Sequence, residues 1–310
     1  MIPDISVVIP AHNEEQSIPS LVSALNRFIE SIDYSIQLVF VDDGSTDNTL
    51  QVLMGSSIDH ADVRIVKLSK NYGAHPAIRA GILHAEADYV VVYSVDMPEP
   101  VEDITMMYRE LLAGNEIVYS ERKGYKGGLG SRLFAWMITR FIEKNYPTDG
   151  LIGVAFGPKV KRELNRNIES SSSIFFQLFQ LGFKKKGIQV EYNEREHGTS
   201  KWTFSKKLKL LVDSFVMFSF TPIRVITGMG ILMSLVGFIW AVCILVIKIF
   251  DLFELAAGWP TTISILLIGF GMTNLSLGII AEYLVRTLEI SSKRPAFIVD
   301  ELIEQRKPQV

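Results

Sequence analysis

Two long stretches without a charged residue, both in the last third of the chain, constrain the fold most strongly. Residues 225–247 and 256–281 run uncharged for roughly 23 and 26 residues, and as helices at ~1.5 Å per residue each can cross a hydrocarbon core of ~30 Å. Their apolar content also explains the positive mean hydropathy of the chain, +0.24. We therefore predict a hairpin of two transmembrane helices within residues 223–285. Length alone leaves open a pair of buried helices in a large soluble core.

Basic residues flank this hairpin on its outer sides. Arg224 precedes the first stretch and Arg286 follows the second. The charged residues of the connection beyond Lys248 are acidic, namely Asp251 and Glu254. By the positive-inside rule, both flanks face the cytoplasm. The first residues of the chain lack the features of a secretory signal. We therefore expect a multi-pass protein of the cell (inner or plasma) membrane with its soluble domain, residues 1–203, on the cytoplasmic side.

The segments on either side of the hairpin have different characters. Residues 204–222 carry apolar side chains at helical spacing beside several lysines, which predicts an amphipathic juxtamembrane helix at the bilayer surface. An ordinary surface helix of the soluble domain is the alternative. Residues 286–310 are predicted to be a cytoplasmic C-terminal tail.

Charge and cysteine content exclude two classes of function. The formal net charge is −3 and the pI is about 6.0, so the chain lacks the basic balance that general nucleic-acid binding needs. Cys243 is the one cysteine, so neither a disulfide framework nor a CxxC metal site can form within one chain.

The first 120 residues alternate short apolar runs with helical patterns. Strands are predicted at 5–9, 36–41, 63–68, 89–93 and 116–119, and helices at 17–31, 47–54, 76–85 and 101–112. This alternation is typical of an α/β fold with a mostly parallel, Rossmann-like sheet and helices on both faces.

Polar residues follow three of the predicted strands. They lie in the segments Pro10-Ala-His12-Asn-Glu14, Asp42-Asp43-Gly-Ser45 and Ser94-Val-Asp96. Ligands of such sheets bind beyond the carboxyl ends of the strands, where neighbouring carboxylates can accept hydrogen bonds from a nucleoside or hold a hard divalent cation. Each segment alone is also compatible with ordinary turn chemistry. Neither the GxGxxG nor the GxxxxGK[ST] motif is present, so a phosphate ligand would need a metal and basic side chains.

The soluble domain contains, in this order, the runs VVIPAHNEE, VFVDDGSTDNT, SKNYG and VDMPEP, and the rest of the chain contains EREHGTSKW, FTPIR and AEYLVRTLEISSKRPAFIV. This ordered combination, which spans nearly the whole chain, resembles the inverting GT-A glycosyltransferases of family 2. The pattern is most similar to the polyprenyl-phosphate branch, which includes dolichyl-phosphate mannose synthases and bacterial bactoprenol glucosyltransferases. The resemblance implies a GT-A domain, an amphipathic interfacial helix and two transmembrane helices.

The resemblance also assigns roles to individual residues. It implies nucleotide-sugar binding by Pro10, His12, Glu14, Asp43 and Arg122. For His12 a loop imidazole without a ligand is the alternative.

The metal motif of the family matches 94–100, where Asp96 and Glu99 are the implied ligands of Mg²⁺ or Mn²⁺ and Ser94 replaces an acidic residue. A hydroxyl is a weaker ligand than a carboxylate, so we expect lower metal affinity.

Phosphate binding and catalysis involve further positions. The implied phosphate and lipid-phosphate ligands are Arg132, Arg195 and Lys201, with Arg122 on the donor diphosphate; for each taken alone, a solvated surface charge is the alternative. In the stretch that carries the family's general base, Ile152 and Val154 take the places of the acid and the arginine, and Asp149 is the substitute candidate beside Asp96.

The expected activity is inverting transfer of a sugar from a nucleotide diphosphate sugar, a UDP-sugar, to polyprenyl phosphate at the cytoplasmic membrane face by a homo-oligomeric membrane glycosyltransferase. The alternative is a degenerate, non-catalytic homologue that binds the nucleotide sugar or polyprenyl phosphate and scaffolds a partner. The replacements at Ser94 and Ile152 favour that alternative.

Overall fold

The computed structural model describes residues 2–96, 100–123, 136, 138–140, 146–147, 151–168, 173–191, 221–250, 259–291 and 295–305. The chain divides into two compact units, one formed by Met1–Lys206 with Arg294–Val310 and the other by Lys207–Lys293.

Strands and helices alternate through the first part of the larger unit, as the sequence predicts. They are β1 (Ile5–Ala11), α1 (Ile18–Ser31), β2 (Ile36–Asp42), α2 (Thr49–Gly55), β3 (Asp62–Leu68), α3 (Ala74–His84), β4 (Tyr89–Val92), α4 (Asp103–Leu112) and β5 (Ile117–Arg122). Every predicted strand and helix of this region is confirmed, and the ends differ by three residues or fewer.

The remaining elements of this unit complete one eight-stranded sheet. They are β6 (Leu151–Phe156), α5 (Pro158–Arg166), α6 (Ile174–Gln180), β7 (Lys185–Val190) and β8 (Val299–Gln305). The strand order is β7-β5-β6-β4-β1-β2-β3-β8. Four of the seven strand pairings are parallel, and β6 and β8 are the strands that run against the others. The predicted α/β class with a mostly parallel sheet is confirmed.

Apolar residues fill both faces of the sheet. One cluster joins the strands to α1, α2 and α4, and the other joins them to α3, α5 and α6. Helix α3 packs closely on the sheet at Gly81, where an added Cβ would lie 2.2 Å from Cγ1 of Val8 on β1. Each fully buried Leu, Ile or Phe stabilises the fold by about 1.5–3 kcal/mol relative to its exposed state. The packed clusters therefore fix where the strand ends, and the loops beyond them, lie.

β6 occupies the region that the sequence matches to a catalytic-base motif. Val154 is fully buried and pairs with Val92 and Tyr119 on the two neighbouring strands, and Ile152 packs against the core. Both positions therefore serve strand packing. Because β6 runs antiparallel to β4, it begins at the edge where β4 ends. Asp149 stands two residues before Leu151 in the sequence and lies outside the described residues.

β8 comes from the segment that the sequence assigns to a C-terminal tail. It pairs antiparallel with β3 from Val63↔Gln305 to Leu68↔Val299, with an irregularity between Lys67 and Leu68. Lys67 Nζ lies 2.5 Å from Asp300 Oδ2, and Arg64 Nη2 lies 2.7 Å from Glu304 Oε1. The chain thus returns to the sheet of the larger unit after the apolar helices.

Two long helices form the described part of the smaller unit, α7 (Thr221–Ile249) and α8 (Trp259–Ser291), and they contact each other. Within the described residues, Ile268–Val285 of α8 is long and apolar enough to cross a membrane, with mean hydropathy 1.4 and none of it buried. On α7, large apolar side chains such as Phe238 and Ile231 are exposed. Helices therefore occupy both predicted spans, while the number of crossings stays a prediction. Residues 204–220 of the predicted amphipathic helix lie outside the described part of the chain.

Candidate active site

The carboxyl ends of β1, β2 and β4 lie side by side at one edge of the sheet. Asp43 N donates to Ala11 O at 2.9 Å, which sets the loop after β2 beside the end of β1. On the other side of β1, Tyr93 N donates to Val8 O at 2.9 Å, so the loop after β4 follows at the same edge. The structure therefore brings together the three polar segments that the sequence predicts to meet, which carry His12, Asp43 and Asp96.

Hydrogen bonds join the loop after β1 to the loop after β2. Asn13 has a positive φ of 54°, and its Oδ1 accepts from Thr46 N at 2.8 Å while its own N–H donates to Ser45 Oγ at 3.1 Å. Glu15 Oε2 accepts from Asn48 N at 3.0 Å. The asparagine and the second glutamate of the HNEE run therefore shape the edge by holding its two loops together.

Glu14 and Pro10 have more local roles in the observed geometry. Glu14 N donates to Thr49 Oγ1 at 2.8 Å, and its Oε2 accepts from Ser17 Oγ at 2.9 Å just before α1 begins. Pro10 lies within β1 itself, opposite Val41 of β2. Their predicted contacts with a nucleotide stay predictions.

Asp43 ties the loop after β2 to the loop after β3. Its Oδ1 accepts from Tyr72 N at 2.7 Å and its Oδ2 accepts from Gly73 N at 2.8 Å, and the residue is 3% exposed. His12 Nδ1 lies 2.9 Å from the Asp43 backbone oxygen. Burial raises the pKa of the Asp43 carboxyl, and the two N–H donors and the nearby His12 oppose that rise. The carboxylate, predicted to hold a nucleotide, here holds the segment that begins α3.

Gly44 explains why a glycine follows the two aspartates. Its φ is +59°, and an added Cβ would lie 2.3 Å from the backbone carbon of Lys70 and 2.6 Å from Asn71 N. The loops after β2 and β3 therefore touch through their backbones, and a side chain at this position would push them apart.

The loop after β4 presents a carboxylate whose neighbour is a hydroxyl. Ser94 Oγ donates to Asp96 Oδ1, and both residues are half-buried. Ser94 thus orients Asp96, although the sequence suggests only a weakened metal ligand at that position. Glu99 lies outside the described residues.

A divalent cation fits this edge only when a bound diphosphate supplies some of the oxygen ligands of the cation. Among the described residues, no group of three or more His, Cys, Asp or Glu side chains is arranged to hold a metal ion. Mg²⁺ commonly binds through one or two carboxylates and completes its shell with substrate phosphates and water. Asp96 supplies a hard oxygen ligand of that kind, so the donor set matches a cation carried mainly by a diphosphate.

The basic candidates fall into two groups. Arg122 ends β5 and is half-buried opposite Val190 of β7. Because β5 and β4 both run antiparallel to β6, Arg122 ends its strand at the same edge of the sheet as Asp96. The candidates Arg132, Arg195 and Lys201 lie outside the described residues.

Tyr72 and Gly73 were not predicted to contribute. They act through backbone N–H groups, which no side-chain pattern reveals. The run SKNYG directly after β3, already noted as a motif, is the signal that could have indicated them.

Comparisons with known proteins agree with this architecture. The model of "Glycosyl transferase family 2" matches residues 6–188. The glycosyltransferase YkcC of Bacillus subtilis is 30% identical over 301 residues, covering 96% of this chain and 93% of that protein. The undecaprenyl-phosphate 4-deoxy-4-formamido-L-arabinose transferase of Proteus mirabilis is 28% identical over 312 residues, which cover 98% of this chain and 95% of that protein.

A solved structure shows the same fold. The larger part of this chain, 69%, superposes on 79% of glucosyl-3-phosphoglycerate synthase from Mycobacterium tuberculosis with a TM-score of 0.51 and 17% identity. That enzyme was crystallised with Mn²⁺, uridine diphosphate and glucosyl-3-phosphoglycerate.

Proposed function

This chain belongs to glycosyl transferase family 2 and is a glycosyltransferase, and we propose that it transfers a sugar from a UDP-sugar to polyprenyl phosphate at the cytoplasmic face of the membrane. The observation that carries the proposal is the sheet edge at which the loops of His12, Asp43 and Asp96 meet. The same chain continues into exposed apolar helices, which suit an enzyme with a lipid acceptor.

The donor assignment has two supports. His12 and Asp43 lie at the carboxyl ends of adjacent parallel strands, where sheets of this type bind nucleotides. The synthase with the same fold was crystallised with Mn²⁺ and uridine diphosphate. We therefore assign the nucleoside to the loops after β1 and β2, and the diphosphate to the edge near Asp96 and Arg122.

The acceptor assignment follows from the names of full-length relatives and from the chemistry of a phosphate nucleophile. The transferase of Proteus mirabilis, matched over 98% of this chain, is named for undecaprenyl phosphate. A phosphate monoester is already anionic near pH 7, so no strong general base has to remove a proton. This removes the difficulty that Ile152 occupies the position of the family's base.

The reaction is a single displacement. A phosphate oxygen of the acceptor forms a bond to the anomeric carbon on the face opposite the diphosphate, and the bond from that carbon to the diphosphate oxygen breaks, so UDP leaves with the electron pair and the configuration inverts. Asp96 would hold Mg²⁺ or Mn²⁺, which neutralises charge on the leaving diphosphate. Arg122 would donate hydrogen bonds to the same oxygens.

Sheet topology supports two membrane crossings. β7 precedes the apolar helices and β8 follows them, yet both strands belong to one sheet. A sheet lies on one side of a membrane, so the number of crossings between Val190 and Val299 is even. Since Ile268–Val285 meets the requirements of a span and α7 exposes large apolar side chains, we propose one crossing by each helix. A homo-oligomeric state stays a prediction.

Sugar transfer in membranes tests the activity. Membranes with the full chain are incubated with undecaprenyl phosphate and a panel of radiolabelled UDP-sugars, and organic extracts are counted. We expect metal-dependent lipid labelling with at least one donor, and its loss in Asp96→Asn. Asp59→Asn, an exposed aspartate before β3 at the opposite edge of the sheet, is the matched control and should keep full activity. Nucleotide sugar binding without transfer from any donor would instead indicate the non-catalytic scaffold.

Cysteine labelling tests the topology. In a Cys243→Ser background, a membrane-impermeant maleimide applied to intact cells should label Glu254→Cys, in the connection between the helices, but not Asp59→Cys. Equal labelling of the two positions would rule out two crossings.

A further inference from the structure

We propose that the C-terminal strand β8 positions the loop of residues 69–73, which holds the Asp43 carboxylate at the candidate site, so that a segment beyond the apolar helices determines donor affinity. Since this role presupposes that the site binds the proposed donor nucleotide, it extends the function proposed above to a segment far away in the sequence.

β8 is attached to β3 along its whole length. Besides the ladder of backbone bonds, Asp300 pairs with Lys67 at 2.5 Å and Glu304 pairs with Arg64 at 2.7 Å. At the far end, Gln305 Nε2 donates to Met54 O at 3.0 Å. The Arg64 side chain is only 13% exposed, so its ion pair is shielded from solvent more than a surface pair is.

The pairing continues past β3 into the loop. Ser69 N, the first donor after the strand, bonds to Ile298 O at 3.0 Å. Phe297 and Val299 pack against the apolar cluster that also receives Tyr72. The C-terminal segment therefore supports the loop through one backbone bond and through shared packing.

Contacts within the loop connect the C-terminal segment to the candidate site. Ser69 Oγ lies 3.1 Å from Tyr72 Oη, and the Lys70 ammonium lies 5.0 Å from the centroid of the Tyr72 ring. The N–H groups of Tyr72 and Gly73 then bond to the two carboxylate oxygens of Asp43. A loop that is already ordered before the ligand arrives costs less entropy on binding, so loosening it weakens donor affinity.

Phe297→Ala removes the apolar support, and Ile298→Ala is the matched control. The two residues are neighbours, but Ile298 points its side chain to solvent with 51% exposure, and alanine keeps its carbonyl. In full-length protein in detergent, we expect Phe297→Ala to raise the Kd for UDP and the KM for the UDP-sugar about tenfold, with kcat at saturating donor nearly unchanged. Ile298→Ala should match wild type, and Phe297→Leu should restore most of the affinity.

Amide hydrogen exchange gives a second readout that needs no nucleotide. Peptides covering residues 69–73 should exchange faster in Phe297→Ala than in wild type and Ile298→Ala, while peptides of β1 and β2 stay protected, which shows that the fold persists. Unchanged exchange, or faster exchange with unchanged UDP affinity, would overturn the positioning role. If wild type bound neither UDP nor any UDP-sugar, the proposed function would fail and the positioning role would fail with it.

Discussion

Three glycine-to-alanine substitutions separate steric contact from backbone strain at the candidate site. Gly44 has both, since its φ is +59° and its added Cβ would meet the Lys70 carbon at 2.3 Å. Gly73 has strain alone, because its φ of 96° and ψ of 165° lie in a region essentially reserved for glycine, with no atom within 4 Å of the added Cβ. Gly55, at the end of α2, has neither.

The expected costs follow that order. Gly44→Ala should destabilise the larger unit by about 3 kcal/mol, combining left-handed strain with displacement of packed backbone. Gly73→Ala should cost about 2 kcal/mol. Gly55→Ala should be neutral or stabilising by about 0.5 kcal/mol, because alanine restricts the unfolded chain.

Thermal melting of the full chain in detergent, with UDP titration, measures the series. For a unit of this size about 1 kcal/mol corresponds to about 2–4 °C, so Gly44→Ala should lower Tm by about 6–12 °C and Gly73→Ala by about 4–8 °C. Both should weaken UDP binding, since both positions shape the contact between the loops. Equal Tm values for Gly44→Ala and Gly55→Ala would refute the backbone contact, and a larger loss for Gly73→Ala than for Gly44→Ala would refute the steric argument.

Three further substitutions address individual carboxyl and hydroxyl groups. Asp43→Asn turns an amide donor toward a backbone N–H, so it should cost about 2–3 kcal/mol of stability together with UDP affinity, measured by melting and calorimetry; lost affinity at unchanged Tm would show that the carboxylate contacts the nucleotide directly. Burial, together with the nearby charge of Glu102, raises the pKa of the Asp103 carboxyl to about 6. The stability that protonated Asp103 contributes is therefore complete below about pH 4 and is lost as the pH rises through about 6. Asp103→Asn should therefore stabilise the protein by about 1 kcal/mol at pH 7.5 and not at pH 4, after allowance for partial exposure, and a gain equal at both pH values would contradict the assignment. Ser94→Asp adds a second carboxylate beside Asp96 and should tighten Mn²⁺ binding in the presence of UDP, followed by electron paramagnetic resonance, whereas weaker binding would show that the hydroxyl is the better partner.

The fold was predictable where burial imposes a pattern. β1 and β2 are buried along nearly their whole length and read as continuous apolar runs, and amphipathic helices such as α1 follow them. β8 was missed because its sequence, VDELIEQ, has three acidic residues in seven and no residue of the strand is fully buried. An edge strand held by one neighbour and by ion pairs has the composition of a solvated tail.

The site was predictable for side chains and not for backbone groups. Strand ends with His12, Asp43 and Asp96 could be placed at one edge because parallel strands align their carboxyl ends. The backbone N–H donors of Tyr72 and Gly73 could not be predicted, because nearly every residue supplies an N–H and only the folded loop determines where that group points.

Ser94 stands where the resemblance to family 2 implies an aspartate, and its hydroxyl changes when a cation is needed at this edge of the sheet. Two carboxylates at hydrogen-bonding distance repel each other unless a proton or a cation lies between them. Here the Ser94 hydroxyl donates to Asp96, so the loop after β4 is stable with a single negative charge. A divalent cation then gains its remaining ligands from the diphosphate and binds with the donor more readily than before it. The affinity for Mn²⁺ should accordingly depend on UDP far more in wild type than in Ser94→Asp, and equal dependence in the two proteins would disprove this linkage.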